Sequence, residues 1–221
     1  MLNNFGVLWD MDGVLVDTAE YHYHSWEQTL GKMGIPFEEE KFRALFGRNN
    51  RDTLASLLQR QPEAELLQAF SERKEALFRK LIHGNAQPLP GVRAWLESLR
   101  RLGALQAVAS SAPQENIDLL LDELGMRHYF VALCAGHKLP SKPDPALFLL
   151  AASILGLPPG RCLVIEDSLA GVEAAHRAGM KCLAVASTNP VGALGQADLV
   201  LERLDQMGVE EALGRLGVDA R

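Results

Sequence analysis

The sequence predicts an α/β fold: a parallel sheet covered on both faces by helices, with a small all-helical unit inserted after the first strand. Three observations carry this. Short apolar runs without polar alternation recur at residues 5–9, 105–109, 131–135, 162–165, 182–186 and, more weakly, 199–201, as strands buried on both faces require. Helical stretches separate the later runs, which is the arrangement that parallel crossovers need. One interval, residues 18–87, offers no convincing strand and is far too long for a single crossover.

The elements follow in order. The run at 5–9 ends in Asp10-Met11-Asp12-Gly13, where Gly13 permits a sharp turn away from the strand. Helices are expected at 19–32, 38–45, 51–59 and 63–82, punctuated by Gly31, Gly34, Pro36, Gly47, Pro62 and Gly84. The chain returns to the sheet through residues 87–92, QPLPGV. Helices at 91–102, 113–124, 145–155, 169–178 and 204–213 then alternate with the remaining strands. The sheet unit is therefore expected over residues 1–17 and 88–221, and the helical insert over 18–87. Order is expected throughout, residues 218–221 excepted.

Composition narrows the partners. The 221 residues carry a formal net charge of −6, with no Lys/Arg cluster of the kind a nucleic-acid site needs. No apolar stretch is long enough to span a bilayer, and no signal peptide is evident. Cys134, Cys162 and Cys182 are odd in number, lie in or beside apolar runs and form no CxxC pair. They read as reduced core thiols of a cytoplasmic protein. A small-molecule partner remains, with neither nucleic acid nor membrane.

The strand ends carry the chemistry. Asp10 and Asp12 stand two apart at the end of the first strand, and Glu166-Asp167 follow the run at 162–165. In an open parallel sheet, ligands bind at the carboxyl ends of strands. If these two strands are neighbours, three or four carboxylates converge. Two like charges about 4 Å apart repel by about 4 kcal/mol at an effective dielectric near 20, so the cluster either protonates or binds a cation. Oxygen-only donors favour a hard ion, Mg²⁺ above all. The run at 105–109 ends in Ser110-Ser111-Ala112-Pro113. Pro113 marks a helix N-terminus, with Ser111 or Ala112 near the cap position, where hydroxyls and free amides suit an anion. Ser111 serves either that anion cup or the helix cap. Lys142 follows in SKPDP, expected in an extended segment before Pro143. Together these groups suit a phosphoryl group. Asp10 is the expected nucleophile. Asp12 is the expected acid/base, with a pKa raised by neighbouring carboxylates. Asp17 is read as a helix-start acid.

These residues identify a resemblance. Asp10-Met-Asp12-Gly13-Val-Leu-Val-Asp17-Thr18, Val108-Ala-Ser110, Lys142-Pro143 and Glu166-Asp167-Ser168 with Ala170-Gly171 are similar, in order, to the four signatures of the haloacid dehalogenase-like superfamily. The resemblance implies a Rossmann-like three-layer core with a helical cap. It implies Asp10 as nucleophile, Asp12 as acid/base, and Mg²⁺ held by Asp10, the Asp12 carbonyl and Asp167 with Glu166 assisting. Gly13, Ser110 and Ser111 belong to its phosphate-binding surroundings. The β-phosphoglucomutase-like branch is the most similar. DTAEYHYHSW, with His22, and Lys74 in SERKEALF match that branch. His22 either helps position the acid/base or packs at the junction, and Lys74 is either a substrate contact or a surface charge. LFGRNNRDTL departs from it: Phe46 and Asn50 stand where that branch has a lysine and an arginine that grip a second phosphate. Arg48 and Arg51 lie nearby. Loss of those two cations favours a phosphatase of a small phosphorylated metabolite over a mutase. A catalytically inactive binding protein is disfavoured, since no catalytic residue type is replaced.

Overall fold

The computed structural model describes residue 2 and residues 4–218. The expectation for residues 219–221 lies outside them. Six strands form one sheet: β1 (Gly6–Trp9), β2 (Leu105–Ser110), β3 (Ala132–Ala135), β4 (Cys162–Glu166), β5 (Lys181–Val185) and β6 (Leu199–Leu201). Their order is β3-β2-β1-β4-β5-β6, and every neighbouring pair is parallel. β1 is central. Trp9, its last residue, stands opposite Val108 of β2 and Ile165 of β4. The strand order reverses at β1, so the crevice where ligands bind in such sheets opens above its carboxyl end.

Side chains alternate across the sheet and build two cores. Val7, Trp9, Val108, Ile165 and Leu183 face α5 (Val92–Leu102), α6 (Gln114–Glu123) and α9 (Val209–Arg215). Leu8, Ala107, Val164 and Cys182 face α7 (Ala146–Ile154) and α8 (Leu169–Arg177). The outcome is the expected three-layer Rossmann-like arrangement. All three cysteines are buried, free and part of the apolar core, and burial pushes the Cys134 and Cys162 thiols up to about 11.

Between β1 and β2 the chain runs through α1 (Ala19–Gly31), α2 (Glu39–Leu45), α3 (Asn50–Leu58) and α4 (Ala64–Ile82). These helices bury an apolar cluster of their own: Trp26, Leu30, Phe37, Phe42, Leu54 and Phe70. Among the described residues, no helix is long and apolar enough to cross a membrane.

Two local expectations fail. Residues 204–213 form no single helix; a 3₁₀ turn at Leu204–Gln206 precedes α9. The Trp95 indole N–H donates to the carbonyls of Leu204 (2.8 Å) and Met207 (2.9 Å), and Met207 and Gly208 are extended. Residues 142–145 turn rather than run extended, and the Lys142–Pro143 bond is cis.

Candidate active site

Asp10 leaves the end of β1 only 5% exposed. The Lys142 ammonium donates to its Oδ1 at 2.7 Å and also to Glu166 Oε1. The second Glu166 oxygen accepts from the amides of Asp167 (2.7 Å) and Ser168 (2.8 Å) and from the Ser168 hydroxyl (2.9 Å). Ser168 in turn caps α8 by accepting from the Gly171 amide at 3.0 Å. Each oxygen of Glu166 is thus committed, one to the lysine and one to the turn that carries Asp167.

One carboxylate oxygen from each of Asp10, Glu166 and Asp167 lies within 4.8 Å of the other two. Asp12 lies outside this group, so of the three or four carboxylates expected to converge, three do. Three buried carboxylates face one buried ammonium. Burial, opposed by Lys142 and reinforced by Glu166 and Asp12, pushes the Asp10 carboxyl up to about 7. Burial, then the charges of Glu166 and Asp10, hold Asp167 well above the usual range. Burial alone would lower Lys142, but Asp10 and Glu166 outweigh it and its pKa is raised. At Glu166 burial is overcome by Lys142 together with the amides of Ser168 and Asp167, and its pKa is lowered. This excess of negative charge on oxygen donors alone fits a hard divalent cation.

Gly13 makes room for the group. Its φ is +78°, and a Cβ there would sit 2.2 Å from Asp167 Oδ2. Its N–H donates to the Val16 carbonyl at 2.9 Å, so the residue shapes the turn and offers no free amide to a phosphate. Gly171 is equally confined: a Cβ would lie 1.9 Å from Glu166 Cδ. Sequence reasoning missed the residues after β5. The Ser187 hydroxyl donates to the Gly13 carbonyl and the Thr188 hydroxyl to Asp167 Oδ2. No motif flagged them, because only the pairing of β5 beside β4 brings them near.

Asp12 departs from expectation. Its Oδ1 accepts from the Thr18 hydroxyl at 2.7 Å and meets His22 Nε2 at 3.1 Å. Burial raises its pKa, but His22 and Thr18 outweigh burial and the result is lowered. Neighbouring carboxylates do not set it, because the side chain turns toward the insert. Lys74 is 2% exposed and is no surface charge. Its Nζ meets His22 Nδ1 at 2.9 Å and Glu75 Oε1 at 2.9 Å. Nδ1 must accept from the ammonium, so the His22 Nε2 proton points at Asp12. The His22 ring also stacks on Phe78, with centroids 3.9 Å apart. The ring thus both meets Asp12 and packs on Phe78.

Ser110 is fully buried, and its Oγ accepts from the Ala112 amide at 3.1 Å. Ser111 does not cap α6; Pro113 occupies that position. Ser111 lines a cavity of about 650 Å³ between the sheet ends and the insert, together with Asp10, Asp12, Lys74, Arg48 and Arg51. Phe46 packs on Phe42 (5.2 Å between centroids) and against His22 (6.0 Å). The Asn50 amide donates to Glu75 Oε1 at 2.8 Å. Asp17 stands exposed.

The family model described as haloacid dehalogenase-like hydrolase matches residues 7–185. Among curated relatives, the chain is 33% identical to the β-phosphoglucomutase of Bacillus subtilis over 213 residues, covering 92% of each chain. It is 33% identical to the fructose-1-phosphate phosphatase of Escherichia coli over 184 residues, covering 81% of this chain and 95% of that one. At 31% identity over 210 residues it covers 92% of itself but only 56% of the chloroplastic 5-amino-6-(5-phospho-D-ribitylamino)uracil phosphatase of Arabidopsis thaliana. The crystal structure of β-phosphoglucomutase from Clostridium difficile superposes with a TM-score of 0.88 at 26% identity, covering 97% of this chain and 98% of that one.

Proposed function

The chain belongs to the haloacid dehalogenase-like hydrolase family, and we propose that within it the protein is a Mg²⁺-dependent phosphatase of a small phosphorylated metabolite, of the sugar-phosphate class. Residues 18–87 act as the cap over the sheet unit. The observation that carries the reading is the Lys142 ammonium 2.7 Å from Asp10 Oδ1 inside a buried group of three carboxylates. Such an arrangement sets a carboxylate oxygen that can accept a phosphoryl group beside a cation that can offset the group's charge.

Asp10 Oδ attacks phosphorus as the ester P–O bond breaks, giving an aspartyl phosphate. Asp12 gives its proton to the leaving alcohol. In the second step Asp12 takes a proton from water as that water attacks phosphorus, the Asp10 O–P bond breaks, and inorganic phosphate leaves. The low pKa of Asp12 in the substrate-free site suits the base role. An arriving phosphate dianion raises it toward the acid role. Lys142 neutralises the phosphoryl oxygens, and Ser111 lines their other side, on a turn that the buried Ser110 hydroxyl braces through the Ala112 amide. Asp10, Asp167 and the Asp12 carbonyl are the groups that would hold Mg²⁺, with Glu166 acting through its grip on Lys142. The ion, when bound, supplies charge neutralisation to the phosphoryl group.

Phosphatase is favoured over mutase because the two departing positions of the cap are occupied with other work: Phe46 packs among aromatic rings and Asn50 is bonded to Glu75. The full-length likeness to β-phosphoglucomutase keeps phosphomutase as the second reading. A panel of phosphorylated metabolites with MgCl₂ separates the two. Stoichiometric release of inorganic phosphate is expected. Interconversion of glucose 1- and 6-phosphates without phosphate release would establish the mutase. The partners are small molecules, not nucleic acid, and the three free thiols suit a reducing cytoplasm.

A further inference from the structure

The start of α3 is built as half of a reciprocal motif. Asn49 is its N-cap, and its side-chain oxygen accepts from the Asp52 amide at 2.9 Å. An acidic or amide residue three positions after a cap ordinarily reaches back to the cap residue's own N–H and closes a box. Here that return bond is not made. The Asn49 N–H donates instead to Ser141 Oγ at 3.1 Å. Asp52 Oδ2 accepts from the Ser141 amide at 3.3 Å. The Asn49 side-chain amide donates to the Leu139 carbonyl at 2.9 Å. Ser141, from the sheet unit, has entered the box and satisfies both halves of it. Asn49 is 4% exposed, and Asp52 and Ser141 are half-buried beside it.

Ser141 immediately precedes Lys142, whose ammonium lies between Asp10 and Glu166. We propose that Asn49, Asp52 and Ser141 are positioning residues for Lys142. Seating the α3 N-terminus on residues 139–141 fixes the backbone from which Lys142 reaches Asp10. When the cap lifts, Asp52 turns back to the Asn49 N–H and the box closes on itself, leaving the Ser141 amide to water. The N-cap thereby has two complete hydrogen-bond arrangements, one for each position of the cap, and only one of them grips the lysine's loop. The proposal rests on the reading of Lys142 as the group that neutralises the phosphoryl oxygens.

The test is a mutant cycle read with a sugar phosphate that the wild-type protein hydrolyses. Ser141→Ala and Asn49→Ala should each lower kcat about tenfold with KM moved less than twofold. The double variant should be no worse than about the poorer single one, because both substitutions break one unit. Asp52→Asn, which keeps an acceptor oxygen, should retain most of the activity that Asp52→Ala loses. Hydrogen exchange, which needs no substrate, should show the peptide spanning 139–144 exchanging about tenfold faster in Asn49→Ala. Wild-type kcat in Ser141→Ala, or a double variant as poor as the product of the singles, would overturn the coupling. Lys142→Ala is the separate control: full activity there sinks the catalytic reading itself, whereas an inactive Lys142→Ala beside a fully active Ser141→Ala sinks only the positioning role.

Discussion

Asp10 and Asp12 are two residues apart, and burial drives both toward the neutral form, yet they end with opposite tendencies. Asp10 sits among carboxylates with one lysine to offset them and is pushed up to about 7. Asp12 is drawn down by His22 and Thr18. Such a split is what the two roles proposed for one residue type would need. Asp10→Asn should lower kcat by about a thousandfold or more while near-UV circular dichroism stays native; retained activity would remove it as nucleophile. Glu75 offers a test of the junction. Burial raises its pKa, Lys74, His22 and Asn116 together outweigh burial, and the net shift is downward. Its stabilising contribution is therefore complete above the unfolded value of 4.5 and is lost as pH falls through the lower folded value. Glu75→Gln should cost about 3 kcal/mol at pH 7, measured by urea denaturation, and the gap from wild type should narrow below about pH 4.5. The types and positions of the core residues were legible because chemistry confines them to strand ends. The state of Asp12 was not, since its partners lie in a helix whose docking no local pattern encodes.

At the scale of elements, α8 shows how a turn can organise a site. Glu166 spends one oxygen on the residues that lead into this helix, and a Cβ on Gly171 would collide with that carboxylate. Gly171→Ala should destabilise the protein by about 2 kcal/mol or more through overpacking. It should also weaken activity well beyond that loss of stability, because the displaced Glu166 releases Lys142. A thermal melt paired with kcat would check it, and a variant with native stability and native kcat would contradict the packing. Strands were readable from uninterrupted apolar runs to within a residue or two. The break at 207–208 was not, because it is made by Trp95 in a distant helix capturing two carbonyls. The missing cap role of Ser111 has a local origin instead, since Pro113 itself is the N-cap of α6.

For the whole molecule, the order β3-β2-β1-β4-β5-β6 is what joins residues 10, 142 and 167. The alternation of strands and helices announced a parallel sheet. The adjacency of β1 and β4, and of β5 beyond them, came from folding alone, which is why Thr188 and Ser187 escaped notice. Metal linkage operates at this scale too. Because Asp10 is pushed up to about 7 and Asp167 is held well above its usual range, a cation entering the group must displace protons. Millimolar MgCl₂ should raise Tm more at pH 8 than at pH 6, and Asp167→Asn should abolish the increment; a shift indifferent to pH and to Asp167 would place the ion elsewhere. The most direct measurement is rapid acid quench during turnover of a hydrolysed sugar phosphate, followed by peptide mass spectrometry. A phosphoryl group should appear on Asp10 and on no other residue, at a level that rises before inorganic phosphate is released. Phosphate release with no phosphorylated Asp10 at any quench time, or a phosphoryl group carried by a different side chain, would contradict the account.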